Sequence, residues 1–136
     1  MPVASATVPR VIMGFALVAC GLLAGLAVFQ AALVAGRPLG RFAWGGRHAV
    51  LPPNLRIGSA VSIVLYAIFA LIVLQAATVA ELLPGKGWVH VAVWVLAGYF
   101  LLGTAMNAAS RSRPERIVMT PVALGLTACF LIVAVG

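Results

Sequence analysis

The sequence predicts an all-α protein, a bundle of four membrane-spanning helices, and three observations carry that prediction. Hydrophobic residues make up 64% of the 136 residues, enough for about four spans of ~20 residues across a ~30 Å hydrocarbon core. Charged residues are only 8% of the chain, where a soluble domain carries about a quarter, so a surface of this composition has too few charges to face water. The apolar residues also fall in four long runs that do not alternate. A membrane barrel needs alternating segments of ~10 residues, and lipid otherwise admits only helices, which satisfy their own backbone polar groups.

The first span runs over residues 11–36 without a charge, ~39 Å of helix at ~1.5 Å per residue, a full crossing with some tilt. Arg10 followed by Leu17-Val18-Ala19-Cys20 has the outline of a lipoprotein signal, but no charge follows until Arg37, and a retained helix with a packing cysteine is expected. The second span covers 55–80. Pro52-Pro53 stands before it, and Asn54 is placed to cap its first amides. The third covers 88–109 and the fourth 113–135. The fourth opens on Ser112-Arg113-Pro114-Glu115, a capping box in which Glu115 reaches back to the Ser112 amide. Thr120-Pro121 then predicts a kink or a short interfacial turn. Residues 1–136 thus form one integral membrane domain.

Orientation follows from the basic residues. Arg37, Arg41, Arg47 and Arg56 flank the connection between spans one and two, and Arg111, Arg113 and Arg116 that between spans three and four. Arg10 and Lys86 alone lie on the other side. The positive-inside rule places both arginine-rich loops in the cytoplasm and both termini outside, the topology of a multi-pass plasma-membrane protein. The net charge of +7 and pI near 11.2 need no nucleic acid partner, because the charge sits where anionic headgroups are.

Within the spans, Gly21 and Gly25 form a GxxxG pair with Gly14 and several alanines nearby, a surface on which another backbone can approach closely. It serves either the monomer's own bundle or a seam between copies. Four short spans enclose little interior, so a homo-oligomer or a place in a larger membrane complex is expected. Cys20 and Cys129 are expected to pack as small apolar residues rather than form a disulfide. Spans one and three end alike, Ala31-Ala32-Leu33-Val34-Ala35-Gly36-Arg37 against Ala105-Met106-Asn107-Ala108-Ala109-Ser110-Arg111, which suits two hairpins in parallel repeat.

The intramembrane polar residues are Gln30, Ser59, Ser62, Tyr66, Gln75, Thr104, Asn107 and Thr127, and none is charged. Proton relays need ionisable groups in the membrane, so a proton-coupled pump is disfavoured. Ser59, Ser62 and Tyr66 recur at helical spacing, with Asn107 at a similar depth. They suit a polar cleft or, more simply, interhelical hydrogen bonds. Arg10, Glu81, Lys86 and His90 form a mixed cluster outside, expected to be solvated helix ends, and His48 lies across the membrane from His90. No GxSxG, HExxH, CxxC or P-loop occurs, so no catalytic residues, metal or cofactor are expected.

The stretch from Gly36 to Arg56 is too particular for a simple connector. Glycines at 36, 40, 45 and 46 permit tight or left-handed backbone, and Phe42 and Trp44 suit the headgroup layer, so it reads as a long interfacial or re-entrant loop. Its arginines attract anionic lipid, and Gly45-Gly46 beside Arg47 and Arg41 offers an anion-binding nest for lipid or another anionic ligand. The pattern GRPLGR, GGR and LPPNLR in this loop, with Asn107 and SRSRPER near the end, resembles a group of small four-span bacterial membrane proteins over nearly the whole chain. The resemblance implies the four-span architecture and a bacterial inner membrane, and implies no catalytic residues. The functional expectation is a non-catalytic, accessory or scaffolding membrane protein. The alternative is a small passive channel or transporter for an anionic or neutral solute, since pores can be lined by Ser, Tyr, Asn and backbone groups.

Overall fold

The computed structural model describes residues 2–77, 84 and 87–136, with side chains from residue 9 onward. Four helices follow in order: α1 (Pro2–Val34), α2 (Pro53–Ala76), α3 (Gly87–Ala108) and α4 (Arg113–Val135), with 3₁₀ turns at Gly40–Phe42 and Trp44–Gly46 between the first two. All four are long and apolar enough to cross a membrane, α1 through its segment Pro9–Val34, and no strand occurs among the described residues. The all-α four-span bundle read from composition and run length is the fold.

The helix ends show which local signals acted. α1 begins nine residues before the predicted span, because the charge at Arg10 marks a change in polarity and not a break in helix. It closes on a Schellman motif: Gly36 takes φ +86°, its amide donates to the Leu33 carbonyl, and the Arg37 amide donates to Ala32. α2 starts one residue ahead of Asn54, with extended Pro52 in the cap position and Pro53 in the first turn. The Pro52 carbonyl accepts from the Leu55 and Arg56 amides, and the Asn54 side chain makes no cap bond. A ring with fixed φ suits the first helical position, so the proline set the start in place of the asparagine. The part of span two beyond Ala77 lies outside the described residues.

At α4 the expected capping box is displaced. Ser112 holds the cap position, yet its hydroxyl bonds elsewhere, and Glu115 Oε2 accepts from Ser110 Oγ at 2.6 Å instead. Ser110 Oγ in turn accepts the Ser112 amide at 3.1 Å. The carboxylate is structural, but through a serine two residues further out. α4 also runs through Pro121 without a turn.

The helices form a four-cornered bundle of two hairpins, α1 with α2 and α3 with α4, joined mainly by α1 against α4. Neighbours α2 and α3 share the least contact around the ring. The core contains Ala16, Ala19 and Leu23 from α1, Val73 from α2, Val93 from α3, and Leu126 and Phe130 from α4. Lipid tails are as apolar as these side chains, so the bundle coheres by close packing and interhelical hydrogen bonds rather than by escape from water. Gly125 meets Leu22 Cδ1 from α1, and Thr104 and Thr127 hydroxyls lie 3.4 Å apart across α3 and α4. Gly21 and Gly25, by contrast, face outward with Gly14, and nothing lies within 4 Å of where their β-carbons would stand. Cys20 and Cys129 are both free thiols, Cys20 against the Ala70 carbonyl and Cys129 buried in the core.

Candidate functional site

A second, smaller core of Leu33, Ala43 and Leu51 pins the connection between α1 and α2 against the end of the bundle. The segment turns on Trp44, Gly45 and Gly46, which hold consecutive φ values of +53°, +77° and +72°. Glycine tolerates this region freely, whereas a side chain as large as tryptophan is held there only by its surroundings. Trp44 has such surroundings. Its indole lies so close over Gly58 that a β-carbon there would stand 2.8 Å from the ring, and its Nε1 donates to Ser59 Oγ at 3.2 Å. Ser59 is fully buried beneath it.

A second tie joins this loop to the one before α4. Ser112 Oγ donates to the Arg41 carbonyl, and a β-carbon on Gly46 would collide with the Ser112 side chain. The two arginine-rich loops therefore meet at one end of the bundle. At the opposite end Gly136 packs against Ile12, which returns the end of α4 to the start of the α1 span.

The arginines divide into those held by the protein and those left over. Arg56 Nε donates to the Leu51 carbonyl at 2.9 Å and its guanidinium packs against Gly36. Arg116 donates to the Ser110 carbonyl at 3.0 Å, and Arg41 stacks 5.0 Å from the centre of the Phe42 ring. Arg37 and Arg113 are exposed. Arg47 and Arg111 line the rim of a cleft, with His48 beside them.

The cleft has a volume of about 900 Å³, within the range typical of small-molecule sites, and all four helices and the docked loop contribute to it. Asn107 and Glu115 stand near the helix ends that carry the basic rim, Gln30 about one turn in from the end of α1, and Tyr66 and apolar Leu126 deeper along α2 and α4. Its inner limit is a cluster of rings at mid-helix. Phe69 lies 5.8 Å from Phe100 and 5.6 Å from Tyr99, and Phe100 lies 5.1 Å from Phe130, mostly edge to face. Tyr99 and Phe100 line the cleft, Phe100 with only 5% of its surface exposed, while Phe69 and Phe130 are buried beside them outside the lining.

Polarity therefore falls with depth. Glu115 is buried at 8% exposure, tied to Ser110, and among the described residues makes no ion pair. Gln30 is also only 8% exposed; Tyr66 is within hydrogen-bonding reach of its amide, yet Gln30 Oε1 has no partner.

No known family model, no curated protein and no solved structure matches the chain. The geometry alone orders the sequence-derived residues. Tyr66 and Asn107 share the cleft, whereas Ser59 accepts the Trp44 indole and Ser62 bonds back to the Gly58 carbonyl at 3.0 Å. Asn107 Nδ2 likewise bonds back to Gly103, at 2.9 Å, with its carbonyl oxygen free of that bond. In the proposed Gly45-Gly46 nest, the Gly46 amide is committed to the Ala43 carbonyl at 2.9 Å. Of the outer cluster, His90 lies in the first turn of α3, while Glu81 and Lys86 lie outside the described residues. No group of residues able to hold a metal ion occurs among those described.

Sequence reasoning assigned no place in a site to Gln30, Tyr99 or Glu115. Glutamine within a span was a visible signal for the first, because an amide in lipid needs a partner. Nothing local marked Tyr99, whose role depends on the register between α2 and α3.

Proposed function

We propose that the protein is a non-catalytic accessory component of a bacterial inner membrane, one that holds part of a membrane-resident molecule rather than conducting a solute. The observation that carries this reading is the depth of the cleft. It begins at the basic rim and ends on the rings of Tyr99 and Phe100, with close-packed core beyond. A pore needs a continuous polar path, and the far half of this bundle is filled by Val73, Val93 and Phe130. Membership in the group of small four-span bacterial proteins, a cytoplasmic position for the arginine loops, and association between copies through Gly21 and Gly25 belong to the same proposal. The charge bias and the outward glycine face support them.

Flux through proteoliposomes tests the central claim. Purified protein reconstituted with a panel of small anions and neutral solutes should give no more leakage than protein-free vesicles. Saturable flux that disappears in Tyr66→Phe or Asn107→Ala would establish the passive transporter in its place.

A further inference from the structure

The cleft is open on one side of the bundle. Around the ring of helices α2 and α3 share the least contact, and one face of α3, from Tyr99 through Leu102, Gly103 and Met106 to Asn107, lines the cleft. Leu102 is 61% exposed and Met106 66%, so both stand at an opening rather than in an enclosed wall. A β-carbon on Gly103 would meet nothing within 4 Å, which leaves a groove beside it. From Tyr99 to Asn107 this groove follows α3 for ~12 Å at ~1.5 Å per residue. In a bilayer its open side faces acyl chains.

Charge sits at one end of the groove. Arg47 follows Gly46 and Arg111 precedes Ser112, so the two arginines flank the contact that joins the loops. Both line the cleft, both are exposed, and neither side chain has an ion pair or hydrogen bond among the described residues. They stand just outside the helix ends at Pro53 and Ala108, the level of lipid phosphates where those helices cross the hydrocarbon. Glu115, the carboxylate in the lining, is buried and accepts the Ser110 hydroxyl. Two unpaired cations beside one engaged carboxylate favour an anion, and the arginine fork suits the oxygens of a phosphate. A soluble anion would leave the groove unfilled, whereas a lipid phosphate carries a chain into it.

We propose that the cleft holds an anionic phospholipid taken from the surrounding bilayer through the side between α2 and α3. This rests on the reading of the cleft as a holder of a membrane-resident molecule, and names the class of that molecule. The phosphate lies at Arg47 and Arg111, one acyl chain runs along α3 past Gly103 to the Tyr99 ring, and the other chain stays in the bilayer. Binding is non-covalent and leaves the lipid unaltered. A zwitterionic headgroup brings its own cation toward the two arginines and is held less tightly.

Native mass spectrometry of the delipidated full chain, titrated separately with phosphatidylglycerol, phosphatidylcholine of the same acyl chains and soluble glycerol phosphate, tests this. Phosphatidylglycerol should bind about tenfold more tightly than phosphatidylcholine. Glycerol phosphate should bind about a hundredfold more weakly than the anionic lipid, for want of a chain. Arg47→Gln combined with Arg111→Gln should abolish the preference for the anion. Arg37→Gln combined with Arg113→Gln removes the same charge from exposed arginines outside the cleft and should keep the preference. Gly103→Leu fills the groove with a side chain that a helix accepts, and should weaken both phospholipids several-fold. Met106→Trp, at an exposed position in the opening, tests the same groove independently. Equal affinity for the two phospholipids overturns this inference and leaves the cleft a holder of some other membrane-resident molecule. Equal loss of preference in both arginine pairs overturns it as well, reducing it to attraction by the whole basic surface. Glycerol phosphate binding as tightly as the lipid, or no phospholipid binding at all, also overturns it, and groove variants without effect overturn the placement of the chain. Saturable flux in proteoliposomes is the separate result that overturns the reading beneath it.

Discussion

The hydroxyl of Ser112 donates to the backbone carbonyl of Arg41, a contact between residues 71 positions apart that closes the basic end of the bundle. Gly46 makes room for it, because Ser112 occupies the space that a side chain at 46 would need. The two connections thereby act as one rim around the cleft.

Replacement of Gly46 by alanine should part them. The new methyl meets Ser112 and also forces an L-residue to hold φ +72°, a conformation that costs about 1–3 kcal/mol by itself. Trypsin should cut at Arg41 and Arg47 several-fold faster in Gly46→Ala than in the parent protein. An unchanged cleavage rate would show that the loops are not coupled there.

Trp44→Phe keeps a ring over Gly58 but removes the donor to buried Ser59. The expected loss is about 1–2 kcal/mol in unfolding free energy, comparable to that from Ser59→Ala, since either change breaks the same bond. The double variant should lose less than the sum of the two single effects. Strict additivity in denaturation by mixed micelles would dissociate the pair.

Topology is testable with single cysteines in a background where Cys20 and Cys129 are alanine. Ala49→Cys lies on the exposed part of the arginine loop, and Ser5→Cys lies near the start of α1. Membrane-impermeant maleimide added to intact cells should modify the second and spare the first. The opposite pattern would invert the assignment from basic residues.

Gly21→Leu should weaken self-association without altering the fold of the single chain, because no neighbouring helix lies within 4 Å of where a β-carbon at 21 would stand. Native mass spectrometry in mild detergent should show the parent as a dimer and the variant shifted toward monomer. A parent that is monodisperse and monomeric in several detergents would remove the glycine seam.

The fold was legible because it rests on quantities a sequence carries openly: run length, charge spacing and the scarcity of polar residues. The site was legible in part. Tyr66 and Asn107 reach the cleft as their spacing suggested, but Ser59 and Ser62, on the same helical face, were claimed by the Trp44 indole and by the helix's own carbonyl. Such competition is settled by a loop folding back, and periodicity within one helix contains no information about it. Glu115 illustrates the same limit at short range. The Ser112 amide that Glu115 was expected to reach donates to Ser110 Oγ, and the carboxylate accepts from that same hydroxyl instead.

The ring cluster at mid-helix gives the molecule a front and a back. Phe69, Tyr99, Phe100 and Phe130 bring side chains of α2, α3 and α4 to one level, between the arginine end and the core of Val73 and Val93. The rings thus set how far into the bundle anything admitted from the arginine end can reach.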